Sequence, residues 1–409
     1  MSSQSIIRSY LVLTGIYTLA ASIIWGINTL FLLDSGLTIL QVFIVNSIFT
    51  AAMALFEIPT GVMADTKGRR ASFLLSLFVL VVGTTGYVYA GFLNENLGWF
   101  IITSIILGLG YTFYSGAMEA WLVDALKSSD YKGTLDRIFS RSSMVSGLAM
   151  LIGSVFGGVL GDYDLAFPYY LRIGLLATVF IIAWFKMFDL GFSAREVALK
   201  DLPSEMMSIA RTSINFGWKT ASVRLLILAS FVQSIFMAWG YFAWQPYFLE
   251  LLGKNLTWVA GVIAALISIA TIAGNALVEW SSRYCSRRTT LFSISVIIQA
   301  IAILGVGLTS NFYVAVGLYL IAMMMLGLWG PVKQAYMHDT IPSEQRATVI
   351  SFDSLISSSG SVIGQNGLGQ VAQLRNLASG YMLGGVINIL ALPIILLLRK
   401  RNDHVDFIT

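Results

Sequence analysis

Two carboxylates stand in this chain where an ionised group is costly to keep. Glu57 lies in Phe56-Glu57-Ile58-Pro59-Thr60 and Glu119 in Met118-Glu119-Ala120-Trp121, both within long apolar runs, and Arg141 opens a third such run. Hydrocarbon solvates such groups poorly, so they are rare there and usually functional. A desolvated carboxyl can take up and release a proton near neutral pH, which is the chemistry of a proton carrier. The competing reading is structural: either acid could form a fixed ion pair with Arg141 or Lys333 and hold two helices together.

The densest charge cluster is Gly61-Val62-Met63-Ala64-Asp65-Thr66-Lys67-Gly68-Arg69-Arg70, set between two apolar runs. So short and charged a turn must face water on one side of a membrane. Gly61 and Gly68 permit close helix approach and a sharp turn. Asp65 can accept from backbone N–H groups at a neighbouring helix start. A third set is polar and aromatic and falls near the middle of apolar runs: Trp25 and Asn28, Tyr111 and Tyr114, Gln233, Trp239, Tyr241 and Trp244, Asn275, Trp329, Gln365 and Asn366. Rings with a few amides suit an amphiphilic organic solute. Any one ring could instead face lipid or anchor at the interface, whereas lipid cannot satisfy a deep Asn or Gln.

The elements that must position these residues are membrane helices. Of 409 residues, 57% are apolar and 11% charged, with mean hydropathy +0.79, against roughly 25% charged in a soluble domain. Hydropathy predicts twelve spans, at about 9–33, 38–63, 71–92, 99–124, 140–161 and 167–188, then 222–250, 256–279, 289–309, 312–336, 346–371 and 377–398. The first run lacks a small-residue cleavage site, so it reads as a span and not a signal peptide. With twelve spans, all but Lys254, Arg375 and Arg172 of the 25 Lys and Arg residues fall on one side. Basic residues concentrate on the cytoplasmic side, so both termini are expected there. On this partition Asp353 and Glu279 read as charges of a cytoplasmic gate.

The polar segment 189–221 lies midway and reads as a cytoplasmic linker between bundles 1–188 and 222–409. Within it, Pro203 to Gly217 spaces apolar residues as a surface-lying amphipathic helix would, with an irregular linker as the alternative. The bundles repeat one another. Glu119-Ala120-Trp121-Leu122-Val123-Asp124 ends the fourth span and Gln334-Ala335-Tyr336-Met337-His338-Asp339 ends the tenth, while Ser286-Arg287-Arg288 echoes Gly68-Arg69-Arg70. Related halves recur in secondary transporters, with the solute site near the midplane.

Several classes are excluded. One cysteine, Cys285, and two histidines leave no basis for a disulfide or a His/Cys metal site, and no cofactor is implied. No phosphate-binding glycine loop is present, which argues against ATP as the energy source. The net charge of +4 follows from topology, so no nucleic-acid partner is read from it. Asn255-Leu256-Thr257 matches a glycosylation sequon, but the short loops and termini look prokaryotic.

The pattern Gly61-x-x-x-Asp65-x-x-Gly68-Arg69-Arg70 resembles, at every defined position, the loop between the second and third helices of the major facilitator superfamily. The repeat extends that resemblance over essentially the whole chain. It implies that Asp65 meets the start of the eleventh helix and that Arg69 pairs with Asp124, closing the fourth. These contacts would latch the cytoplasmic side; otherwise the loop charges only enforce topology. The superfamily's antiporter motif in the fifth span matches partly. Gly153, Gly157 and Gly158 are kept, while Ala149 and Ser154 replace a glycine and the proline, so ordinary helix packing explains the stripe equally well. The basic residue that proton-coupled drug exporters usually carry in the fourth span is absent between Gly108 and Glu119.

The resulting expectation is an all-helical, twelve-span secondary transporter of the cell (inner) membrane, monomeric and not an enzyme. It moves a small amphiphilic organic solute by alternating access, drug-efflux-like and coupled to protons. Glu57, Glu119 and Arg141 carry the coupling, and Gly61, Asp65, Gly68, Arg69, Arg70 and Asp124 the gating. Trp25, Asn28, Tyr111, Tyr114, Gln233, Trp239, Trp329 and Asn366 contact the solute. The alternatives are an importer of a metabolite or chelate, and a ligand sensor of transporter fold that moves nothing.

Overall fold

A computed structural model describes residues 2–93, 97–194 and 217–408. The expected amphipathic segment, but for Gly217, and most of the expected linker lie outside these residues. Inside hydrocarbon every backbone N–H and C=O must be satisfied within the segment, which leaves a chain this apolar the helix. The helices are α1 (Ser3–Ser22), α2 (Asn28–Asp34), α3 (Ile39–Lys67), α4 (Arg69–Gly91), α5 (Leu97–Tyr114), α6 (Ala117–Ser128), α7 (Leu135–Tyr163) and α8 (Phe167–Lys186). They continue as α9 (Ala221–Leu252), α10 (Thr257–Ser282), α11 (Arg288–Leu308), α12 (Phe312–Thr340), α13 (Ser343–Leu374), α14 (Leu377–Ile389) and α15 (Ala391–Arg401).

Among the described residues, 10 helical segments are long and apolar enough to cross a membrane. Two expected spans fall outside that set for different reasons. The first is interrupted between Ser22 and Asn28. The eleventh, α13, is 32 residues long but carries Ser, Gln, Asn and Asp along its length. The fourth expected span is also broken. Gly116 adopts φ +71, a left-handed conformation that glycine takes at no steric cost, and the chain restarts there as α6. Both breaks fall at candidate site residues: Trp25 in the first, and Tyr114 beside the second.

The chain divides into two compact units, one of residues 1–37, 48–203 and 256–265, the other of 38–47, 204–255 and 266–409. In the first, α4 packs on α5 and α8, and α1 on α7 and α8. Ser72 and Ser76 hydroxyls of α4 donate to the Phe113 and Gly110 carbonyls at 2.8 and 2.7 Å. The small-residue stripe of α7 is used for close packing. Gly153 faces Ser22 and the Leu19 carbonyl, Gly157 faces the Ile23 carbonyl, and Gly158 faces Gly261 and the Thr257 carbonyl. Asp162, one turn on, accepts from the Thr257 N–H at 3.0 Å and so caps α10.

In the second unit, α9 packs on α13, α14 and α15, and α11 on α12 and α14. Its interior is aromatic and amide-rich. Trp239 is fully buried, with ring centroids 5.6 Å from Phe43 and 5.1 Å from Tyr381. The Asn388 amide donates to Gln233 at 2.7 Å and to Gln299 at 3.3 Å. One ion pair crosses from α12 to α13, Lys333 Nζ to Asp353 Oδ2 at 2.6 Å, with both side chains largely buried.

Two stability predictions follow from this packing. Gly157→Leu should destabilise the detergent-solubilised protein by about 1–3 kcal/mol or more and so lower its unfolding midpoint. Gly147→Leu should not, because nothing lies within 4 Å of a Cβ built there; equal midpoints would refute the close-packing role. Asp353→Asn should cost about 3–5 kcal/mol by leaving the Lys333 charge buried and unpaired. The double variant with Lys333→Met should recover most of that loss in the same measurement.

Candidate functional site

The break between α5 and α6 opens one wall of a cleft in the first unit. The cleft, of ≈ 230 Å³, is lined by Tyr10 and Thr14 of α1, by Tyr114, Gly116, Met118 and Glu119 around the break, and by Ser142, Ser143 and Ser146 of α7. Glu119 sits in the first turn of α6, where the helix N-terminus favours a negative charge. It is exposed in the cleft and has no cation at ion-pair distance among the described residues. Glu57 is exposed too, and its carboxylate accepts from the Ser115 hydroxyl at 3.4 Å, so both acids meet at the same break. Arg141 is exposed on α7, one residue before the cleft-lining Ser142. Neither pairing weighed from the sequence is present: Arg141 forms no ion pair among the described residues, and Lys333 is bound to Asp353.

Behind the cleft lies a nest of tyrosines. Tyr114 stacks on Tyr17 with centroids 3.8 Å apart and planes 9° from parallel. Tyr111, on the same helix, accepts from Arg172 Nη2 at 3.0 Å, and the guanidinium lies 5.6 Å from its ring centre. Asn28 accepts from the hydroxyls of Tyr169 at 3.0 Å and Tyr87 at 3.4 Å. Trp25 is half-buried in the break of the first span. Tyr114 thus packs with Tyr17 and Phe73, Tyr111 with Phe49 and Arg172, and Asn28 with the ring group of Phe31, Tyr87, Phe100 and Tyr169. From the sequence Arg172 stands out only as one of the three basic residues off the cytoplasmic side. It is 1% exposed, and an arginine flanked by Leu171, Ile173, Leu175 and Leu176 was the available signal.

The residues expected in the second unit do not form a comparable cluster. Trp239 is part of the aromatic core, and Trp329 packs on Phe292 with centroids 4.5 Å apart. Gln233 is held by Asn388. The Asn366 amide donates to the Val362 carbonyl of its own helix at 2.8 Å.

The charged turn is tied on three sides. Gly68 has φ +104 and starts α4. Arg69 bridges Asp65 at 2.5 Å and approaches Asp124 at 3.8 Å. Arg70 donates to the Trp184 carbonyl at 2.8 Å and stacks over Trp184 and Phe188. Gly61 is exposed, and nothing described crowds it. Sequence reasoning missed Asp189, which follows α8 and accepts from the Arg70 N–H at 2.8 Å.

The second unit repeats the device with other residues. Arg288 pairs with Asp339 at 2.7 Å, and Asp406 accepts from the Thr289 N–H and hydroxyl, both at 2.8 Å. Arg287 lies 4.5 Å from the Phe407 ring centre. In each unit an aspartate beyond the last helix caps the helix that begins at the double arginine.

Comparison with known proteins adds three findings. The family model described as Major Facilitator Superfamily matches residues 10–365 and 259–406. By sequence the chain is similar to "Uncharacterized MFS-type transporter YxaM" of Bacillus subtilis (strain 168), 24% identical over 406 residues, covering 96% of this chain and 94% of that protein. It is similar also to "Hexuronate transporter" of the same strain, 22% identical over 379 residues and covering 88% and 85%. By structure it resembles nucleoside transporter NupG, with TM-score 0.77 at 10% identity over 97% and 99% of the two chains. A D-xylose-proton symporter gives TM-score 0.69 at 13% identity over 97% of each. At such identities the structural likeness speaks for the fold alone. The chain belongs to the Major Facilitator Superfamily: it is a multi-pass membrane protein, a secondary transporter of small molecules and not an enzyme.

Proposed function

We propose that the chain exports a small amphiphilic organic solute in exchange for protons, by alternating access. On this reading twelve spans form two six-helix halves in the cell membrane, with both termini and the 189–221 linker cytoplasmic, and the monomer is the working unit. Glu119 carries the proposal. It lies on the wall of a cleft lined with hydroxyl groups and has no partner cation among the described residues. A carboxylate held in a salt bridge stays ionised, whereas one facing a cleft can gain and lose its proton as access to the cleft changes. Glu57, on the other side of the same break, is the second acid of the relay, and Arg141 supplies nearby positive charge. Tyr111, Tyr114, Asn28 and Trp25 are the solute contacts nearest the cleft.

A second reading, import of a metabolite by symport, is favoured by the relative named as a hexuronate transporter, which matches 88% of this chain. The glycines of α7 do not separate the two directions, since packing against α1 and α10 accounts for them. Proteoliposomes with an imposed pH gradient and a solute panel do separate them. Solute movement opposite to the proton flow supports export, and movement with it supports import.

In the same assay Glu119→Gln should lose gradient-driven transport but keep solute exchange down its own gradient, with normal expression because no ion pair is lost. Full pH-driven transport in both Glu119→Gln and Glu57→Gln would remove these acids from the coupling step. Gating is tested separately. Asp65→Asn and Arg69→Ala should each slow turnover at least tenfold while solute affinity stays within about twofold. Asp189→Ala should act the same way and lower stability by about 1 kcal/mol, the usual loss for a helix cap. Wild-type turnover in all three variants would leave the turn with a topological role only.

A further inference from the structure

Arg172 lies within α8 at 1% exposure. One of its donors is used, Nη2 to the Tyr111 hydroxyl. Nε and Nη1 meet no acceptor. No carboxylate stands at ion-pair distance among the described residues, and six acids of the first unit have other surroundings. Asp65 and Asp124 are with Arg69, Asp162 is on the start of α10, Asp189 is on the start of α4, and Glu57 and Glu119 face the α5–α6 break. A guanidinium kept inside a bundle without an acid is an unfavourable way to fill space, since an apolar residue of similar volume does so without the desolvation penalty.

Its surroundings suit a ligand. The guanidinium lies 5.6 Å from the Tyr111 ring centre. Tyr17 stacks on Tyr114, which lines the cleft holding Glu119. Tyr111, which holds the guanidinium, lies one turn before Tyr114 on the same helix α5, so the cleft wall and the arginine share one element. The guanidinium fork matches the two oxygens of a carboxylate, and the tyrosine faces match an apolar body.

We propose that Arg172, oriented by Tyr111, anchors a single carboxylate on the transported solute, which is thus an organic monoanion with an apolar or aromatic body. This rests on the reading of the chain as a carrier loaded through the cleft, and it narrows the solute class of that reading. One cation with an acid at the cleft wall selects against phosphate and polyanions.

The test uses the full chain purified in detergent. Benzoate, 3-phenylpropionate and glucuronate are each compared with their own amide, with inorganic phosphate as a further probe, by ligand-induced shift of the unfolding midpoint and by titration calorimetry. At least one acid should bind about tenfold or more tighter than its amide, the scale of a charge-assisted hydrogen bond. Arg172→Gln should erase that preference. Tyr111→Phe should weaken acid binding more than amide binding.

The proposal is overturned if the wild type distinguishes no acid from its amide, if phosphate binds best, or if Arg172→Gln keeps the preference. Where Arg172→Gln does not fold, Arg172→Lys keeps the charge without the fork and should still lose acid affinity; full affinity in Arg172→Lys would overturn the proposal equally. The carrier reading fails by a different result, in which an acid binds but does not move in proteoliposomes, and that outcome leaves the anion site standing.

Discussion

An ionised side chain in an apolar slab has three tolerable fates: it can pair with an opposite charge, reach water, or bind something that offsets its desolvation. The charges of this chain sort among these fates, and the architecture follows the sorting. Lys333 and Asp353 take the first, joining α12 to α13. Glu119 and Glu57 take the second, because the left-handed Gly116 interrupts a span and lets a cleft form where a continuous helix would have sealed it. Arg172, without an acid, fits the third. The aspartates and arginines of the two charged turns settle where helices end and their unsatisfied N–H groups need acceptors.

Close approach of helices is the complementary constraint. Lipid offers no hydrophobic drive for helix association, so contact area and backbone proximity must supply it. The α7 stripe does this against α1 and α10, with carbonyl oxygens of Leu19, Ile23 and Thr257 where a side chain would otherwise stand. Hydroxyl groups reinforce the contact: Ser22 donates to the Ala149 carbonyl at 3.3 Å and Thr257 to the Gly158 carbonyl at 3.1 Å. Rigid contact along α7 also fixes one wall of the cleft, because Ser142, Ser143 and Ser146 lie on the same helix.

Much of this was legible in the sequence, and the remainder has identifiable causes. Apolar runs and the one-sided Lys and Arg distribution mark the helices, and the spacing of Asp65, Gly68, Arg69 and Asp124 marks the tied turn. Depth along a span is also readable, and Asn28, Tyr111 and Tyr114 each meet aromatic side chains of the first unit. Facing direction is not readable, since a helix that is apolar all round has no periodicity to orient it. Trp239 and Trp329 point into the second unit's core, whereas Arg172, which the charge count separates only as one of three basic residues off the cytoplasmic side, is buried within α8. Asp189 and Asp406 lie outside the spans, in segments where nothing local distinguishes a capping aspartate from a solvated one.

The two capping aspartates also bear on synthesis. Asp189 lies 119 residues after the Arg70 amide it receives, and Asp406 lies 117 after Thr289. At ribosomal speeds of about 5–20 residues per second, each helix start waits on the order of ten seconds for its acceptor. During that interval α4 and α11 enter the bilayer with their first N–H groups served by water at the membrane face. Insertion of each helix and completion of its end are therefore separate events in time, and a pause in translation between them would prolong an intermediate whose helices are threaded but whose charged turn is not yet tied.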